Sequence, residues 1–130
     1  MQQNLEKFLE KNREYVVEVS NRLAMQIPED PHIMIEQVKK LITHRARISI
    51  LLAEADAILD LAEKESLPEK TSRVTEMDRE ITKNSAVREY RMWRDILKNI
   101  VLSIDSTRSW AQSCLAYEKY GFHDLDGSGA

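Results

Sequence analysis

Apolar positions recur at helical spacing along most of this chain. Over residues 2–26, Leu5, Phe8, Leu9, Tyr15, Val16, Val19 and Leu23 keep the three- and four-residue steps of one helix face, with Glu and Lys around the other. Pro28 stops that helix. In IPEDPH, residues 27–32, Asp30 is suited to cap and Pro31 to open a second helix, which runs to about Ser66. Its stripe alternates steps of four and three through Met34, Val38, Leu41, Arg45, Ile48, Leu52, Ala55, Leu59 and Ala62. A repeat sustained over about four heptads is a coiled-coil pattern. A second line, Ile35, Ile42, Ala46 and Ile50, widens the arc to about half the circumference and predicts two or more neighbours. Pro68 closes the helix. Val74, Met77 and Ile81 predict a short third helix, broken or kinked at Lys83-Asn84-Ser85, with Asn84 or Ser85 capping the next. The last helix is predicted over residues 86–120, on the stripe Val87, Tyr90, Trp93, Leu97, Ile100, Ile104, Ala111 and Leu115, and Gly121 is its expected stop.

The two long helices match in length, about 35 residues and about 50 Å each at the usual rise. The expected fold is all-α: a long antiparallel, coiled-coil-like hairpin with an additional N-terminal helix, oligomeric, in one domain over residues 1–122. Residues 123–130 are expected to be a flexible tail. No internal repeat or low-complexity segment interrupts the pattern.

Composition adjusts this picture. Apolar residues make up 42% and charged residues 32%, as in a helical protein with charged outer faces, and the scarcity of Gly and Pro, three each, argues against a β-fold. The net charge of −3 excludes a globally basic nucleic-acid binder. Locally the balance reverses. Residues 37–53 hold Lys39, Lys40, His44, Arg45 and Arg47 and no acid. A single cysteine, Cys114, rules out an intrachain disulfide and points to a cytosolic setting. The N-terminal segment is amphipathic rather than signal-like, and no stretch approaches a membrane span. A cytoplasmic protein is expected.

Catalytic chemistry finds little support. His32, His44 and His123 do not share a face at ligand spacing. Asp124-Leu-Asp126-Gly127 begins like a calcium loop, but the remaining ligands do not follow. Cys114 lies on the apolar arc, as a structural thiol does, and there is no glycine-rich phosphate loop. No enzyme activity, metal or cofactor is expected.

Cations inside apolar stripes stand out instead: Arg45 in the second helix, Arg94 and Arg108 in the last. A buried charge needs a partner or a route to water. Two accounts meet this need. With a hairpin turn near residue 75, Arg45 lies opposite Ile104 and Asp105, so Asp105 accepts from Arg45 or from Arg108. Alternatively, several hairpins surround a groove that holds an anionic chain. The residues then expected to bind nucleic acid are Lys39, Lys40, His44, Arg45, Arg47, Arg91, Arg94 and Lys98, with Lys40, His44 and Arg47 forming one cluster and Arg91, Arg94 and Lys98 another. Single-stranded DNA suits such a groove. Tyr90, Trp93 and Trp110 are aromatics able to stack bases, though Trp93 fits core packing. Trp110, at the edge of the arc, reads as a partner contact, as do the amphipathic Tyr117 and Tyr120.

The run TEMDREITKNSAVREYRMWRDILKNIVLSIDSTRSWAQSCLAYEKYGF, residues 75–122, resembles the C-terminal half of small helical phage recombination proteins of the UvsY-type mediator family. The likeness lies in chain length, helical periodicity and a long amphipathic helix followed by Gly121-Phe122. The resemblance implies a phage-encoded homo-oligomer in the host cytoplasm. It would bind single-stranded DNA and help a recombinase displace a single-strand-binding protein. That family carries basic residues around the turn of its hairpin. Here LAEKESLPEKTSR mixes Glu63, Glu65 and Glu69 with Lys64, Lys70 and Arg73. The alternative from the residues alone is a helical protein–protein interaction module, a scaffold, chaperone or inhibitor without nucleic acid.

Overall fold

In the computed structural model the chain forms α1 (Gln2–Ala24), α2 (Pro31–Ser66), α3 (Glu76–Ala86) and α4 (Arg88–Leu125). The structure describes residues 2–66 and 75–125, apart from the side chains of 2, 3, 82, 85, 86 and 117–125. Among the described residues there is no strand, and the fold is all-α as the periodicity requires.

Local chemistry sets the helix starts. Asp30 Oδ1 accepts from the His32 and Ile33 amides at 2.9 and 3.3 Å, with Pro31 in the first helical position. Thr75 and Asp78 form a capping box: Thr75 Oγ1 accepts from the Asp78 amide at 3.1 Å, and the Asp78 carboxylate accepts from the Thr75 amide at 3.4 Å.

Two boundaries differ from expectation. The break after α3 falls at Val87, not at Lys83-Asn84-Ser85, and neither Asn84 nor Ser85 caps a new helix. Val87 sits at φ −105°, ψ 7°; its amide still donates to Lys83 O, and its carbonyl accepts from Arg91 N. So near-helical a residue keeps the hydrogen-bond ladder running, and α3 leads into α4 across one residue. α4 also passes Gly121 and runs to Leu125, so the first three residues of the expected tail are helical; residues 126–130 lie outside the described ones. A glycine inside a helix costs only about 1 kcal/mol against alanine, and no proline follows it to enforce a stop.

α2 and α4 form the principal contact. Their antiparallel register is fixed at two points, Arg45 on Asp105 and Glu63 on Arg91. α1 packs against both long helices, antiparallel to α2, with Tyr15 beside His44. The seam shows strict heptad spacing on α2, where Met34, Leu41, Ile48, Ala55 and Ala62 are buried, joined by Leu51 and Leu59. Val87, Tyr90, Trp93, Leu97, Ile100, Ile104 and Ala111 answer from α4, and Leu5, Phe8, Val16 and Val19 from α1. Trp93 is thus a core residue rather than a stacking platform.

The second apolar line of α2 is not buried, although Ile35 and Ile42 edge a hollow shared with Arg108, Ala111 and Leu115 of α4. Ile35, Ile42 and Ile50 are 37, 38 and 62% exposed. α2 does have more than one neighbour, α4, α3 and α1, but α1 sits on the other flank of the stripe, the flank of His44. α3 shows the same lesson, since Met77 and Ile81, which predict it, are exposed, while Arg79 and Lys83 are half-buried. Val74 lies outside the described residues. No helix among the described residues is long and apolar enough to cross a membrane.

Candidate functional site

The cations expected to share a groove are divided by the hairpin. At 100° per residue, Lys40, His44 and Arg47 lie on the flank of α2 that α1 covers. Arg45 lies across the buried line, on the open face, as do Arg91, Arg94 and Lys98 of α4. Lys39 is exposed and edges a separate hollow with Ile42 and Arg108. A single chain therefore gathers these eight residues into no common surface.

On the open face, intrachain carboxylates meet the guanidinium groups. Arg45 donates from Nε to Asp105 Oδ1 at 2.6 Å and from Nη2 to Oδ2 at 3.2 Å. This two-pronged hydrogen bond, with the Arg45 and Arg108 charges behind it, holds the Asp105 carboxyl below its usual range. Neither partner is buried, at 39 and 43% side-chain exposure, so the apolar slot predicted for Arg45 is a wet edge of the seam. Arg91 bridges Glu63 Oε1 at 3.0 Å and Asn84 Oδ1 at 2.7 Å, and Arg94 bonds Asp95, its neighbour in sequence, at 3.0 Å. Glu63 of α2 thus holds Arg91, and Asp95 of α4 itself holds Arg94. A phosphate there would meet carboxylates as well as cations.

The covered flank is built differently. Tyr15 Oη and His44 Nδ1 are 2.7 Å apart, with ring centroids at 5.6 Å, and the Arg47 guanidinium stacks 3.9 Å above the Tyr15 ring. Burial, reinforced by the Arg22 and Arg47 charges, pushes the His44 imidazole below its usual range. Burial likewise pushes the Tyr15 phenol up, against the pull of Arg47. A neutral imidazole accepting from the phenol at Nδ1 carries its proton on Nε2. These three residues clamp α1 to α2, so His44 and Arg47 have structural partners.

Beside the clamp, where α1 ends and α4 runs on, the surface is concave. One hollow of about 230 Å³ lies between the end of α1 and α4, walled by Leu23, Ile27, Leu41, Thr107 and Trp110. A second, of about 440 Å³, lies between α1 and α2 and is bordered by Arg22, Gln26, Gln37, Lys40 and His44. The two share Arg22, Met25, Gln26, Ile27 and Leu41 and so form one continuous site. Met25 and Trp110 stand at its rim, 68 and 47% exposed. Trp110, read as a partner contact, lines this site. The side chains of Tyr117 and Tyr120 lie outside the described residues.

Sequence reasoning passed over Asn12, which is 3% exposed in the core and donates from Nδ2 to Phe8 O at 3.0 Å. Its position in the stripe Leu5, Phe8, Asn12, Val16, Val19 was the available signal. The clamp partner Tyr15 was read only as apolar. Among the described residues no group of His, Cys, Asp and Glu is gathered to hold a metal, and Cys114 is half-buried on α4. Compared with protein-family models, with curated proteins and with solved structures, the chain matches none.

Proposed function

We propose that this protein acts without catalysis, as a helical protein–protein interaction module whose contact surface is the α1–α2 turn end of the bundle. One observation carries the reading: the paired hollow, floored by Leu41 and Ile27 and rimmed by exposed Trp110 and Met25, on a chain whose own core is already complete. Tryptophan, methionine and arginine at a concave apolar site are the composition of an interface centre. The test compares the wild type with a Trp110→Ala/Met25→Ala variant as immobilised bait in extract of the source organism. One stoichiometric protein, retained by the wild type, lost by the variant and free of nucleic acid, is the expected result. Equal retention by both baits removes the surface from the function.

A second reading, single-stranded DNA bound by a homo-oligomer beside a recombinase or single-strand-binding protein, draws support from the exposed ammonium groups of Lys39, Lys40 and Lys98 and from the exposed Ile35, Ile42 and Leu102. Light scattering and anisotropy of a labelled oligo-dT separate the two. If the DNA reading holds, the oligomer binds at about 50 mM salt, and Ala substitution of Arg91, Arg94 and Lys98 weakens binding and flattens its salt dependence. If no binding occurs at that salt, this reading falls.

A further inference from the structure

We infer that the paired hollow receives an acidic peptide segment carrying one apolar anchor side chain. The inference rests on the interaction reading and names the chemistry of its partner. The two halves of the site differ in character. The larger half is bordered by two permanent cations, Arg22 and Lys40, by the His44 imidazole and by the amides of Gln26 and Gln37, and no carboxylate lines it. On the open face Arg45 and Arg91 are tied to carboxylates of the partner helix, whereas here Lys40 has no such bond and Arg22 is paired only within α1, with Glu18. In a chain with 22 acids and 19 Lys and Arg, a concave wall whose polar lining is cations, an imidazole and amides, set around Met25, Ile27, Pro28 and Leu41, is electrostatically complementary to a carboxylate-bearing partner.

The smaller half suits the anchor. Leu23, Ile27, Leu41 and the face of Trp110 wall a space of about 230 Å³, enough for one phenylalanine or leucine side chain. Its one lining acid, Glu29, from the α1–α2 connection, is absent from the lining of the larger half and sets the polarity: the anchor enters under Trp110, and the acids of the segment lie toward Lys40. Arg22 is free to turn to the guest because its own partner, Glu18, is one turn back on α1 in a pair exposed on both sides, at 44 and 57%, and such pairs exchange readily. The clamp fixes the geometry from behind. With Nδ1 of His44 engaged by Tyr15, the imidazole presents its other edge and cannot rotate away without losing that bond.

The experiment uses the full chain and a fluorescein-labelled dodecapeptide of Glu and Ala with one central Phe, followed by anisotropy. Controls are the same peptide with Lys for Glu, with Ala for Phe, and an oligo-dT. Saturable binding of the acidic peptide is expected, at least about tenfold tighter than its lysine counterpart and weaker when Phe is removed. Arg22→Glu and Lys40→Glu, both at exposed positions, should each lower affinity about tenfold or more. Lys98→Glu, on the open face, should leave it unchanged, and circular dichroism verifies folding. Equal binding of the lysine peptide, equal loss in Lys98→Glu, or oligo-dT displacing the peptide overturns the inference. So does the absence of saturable binding. In that last case the interaction reading still stands if the Trp110→Ala/Met25→Ala bait loses its partner, and both fail together if it does not.

Discussion

The two faces of the α2–α4 hairpin handle the same problem in opposite ways. Both carry arginines beside an apolar seam. On the open face the solution is ionic: Arg45 on Asp105 and Arg91 on Glu63, each pair within reach of water. On the face that α1 covers, Arg47 lies on the Tyr15 ring, and Tyr15 in turn holds a neutral His44. α1 half-buries the His44 imidazole and the Tyr15 phenol, which pair as neutral groups, while Arg47 stays exposed over the Tyr15 ring. An open groove keeps water, and carboxylates suffice. What each arginine pairs with depends on which helix supplies its neighbour, α4 for Arg45 and α1 for Arg47.

The largest effect expected strikes both faces at once. Ile48→Ala or Leu97→Ala, at fully buried positions of the shared seam, should cost about 2–5 kcal/mol in urea unfolding. Asn12→Leu should act in the other direction. Filling a buried polar position of α1 with an apolar side chain should raise stability by about 1.5 kcal/mol, while removing the side-chain bond to the Phe8 carbonyl one turn back on α1. Hydrogen exchange of α1 amides would read the second effect. Tyr15→Phe keeps the ring under Arg47 and removes only the hydroxyl. A loss of about 1 kcal/mol, the worth of one hydrogen bond, is expected, confined to the covered face.

The pH dependence separates the faces further. His44 is held below its ordinary value, so the unfolded chain binds its proton more readily than the folded one. Its contribution is complete above about pH 6.5, the unfolded value, and is lost as pH falls from there toward the lowered folded value. His44→Gln should flatten stability across that window. The smallest effect belongs to Asp105→Asn on the open face. Its depressed carboxyl adds stability above about pH 4 that fades as pH falls through the folded value. Because that pair is exposed, thermal melts at pH 7 should barely separate the variant from wild type.

Much of the fold was legible in the chain. Asp30-Pro31 foretold the start of α2, and counting from a turn near residue 75 brought Arg45 to Asp105, sixty residues away, where the bidentate pair lies. The candidate site was less legible. Counting by helical steps correctly grouped Lys40 with Arg47 and Arg91 with Lys98, yet it gave no means of seeing that the hairpin stands between the groups. Nor did it foresee that Glu63 meets Arg91 across the hairpin, because that needs the alignment of two helices and not the periodicity of one. Trp110 at the edge of its arc was visible; the hollow beneath it was not, since it exists only because α1 stops at Ala24 while α4 continues.

Sequence alone determined the helices, their caps at Asp30 and most of the buried stripe, because these depend on neighbours within a few residues and on a repeat carried by a single helix axis. Tertiary structure decided which flank of α2 is covered, leaving Ile35, Ile42 and Ile50 outside and His44 within. The physical reason is that periodicity fixes the angle of a side chain about its own helix, whereas covering it depends on where another helix finds the larger apolar contact.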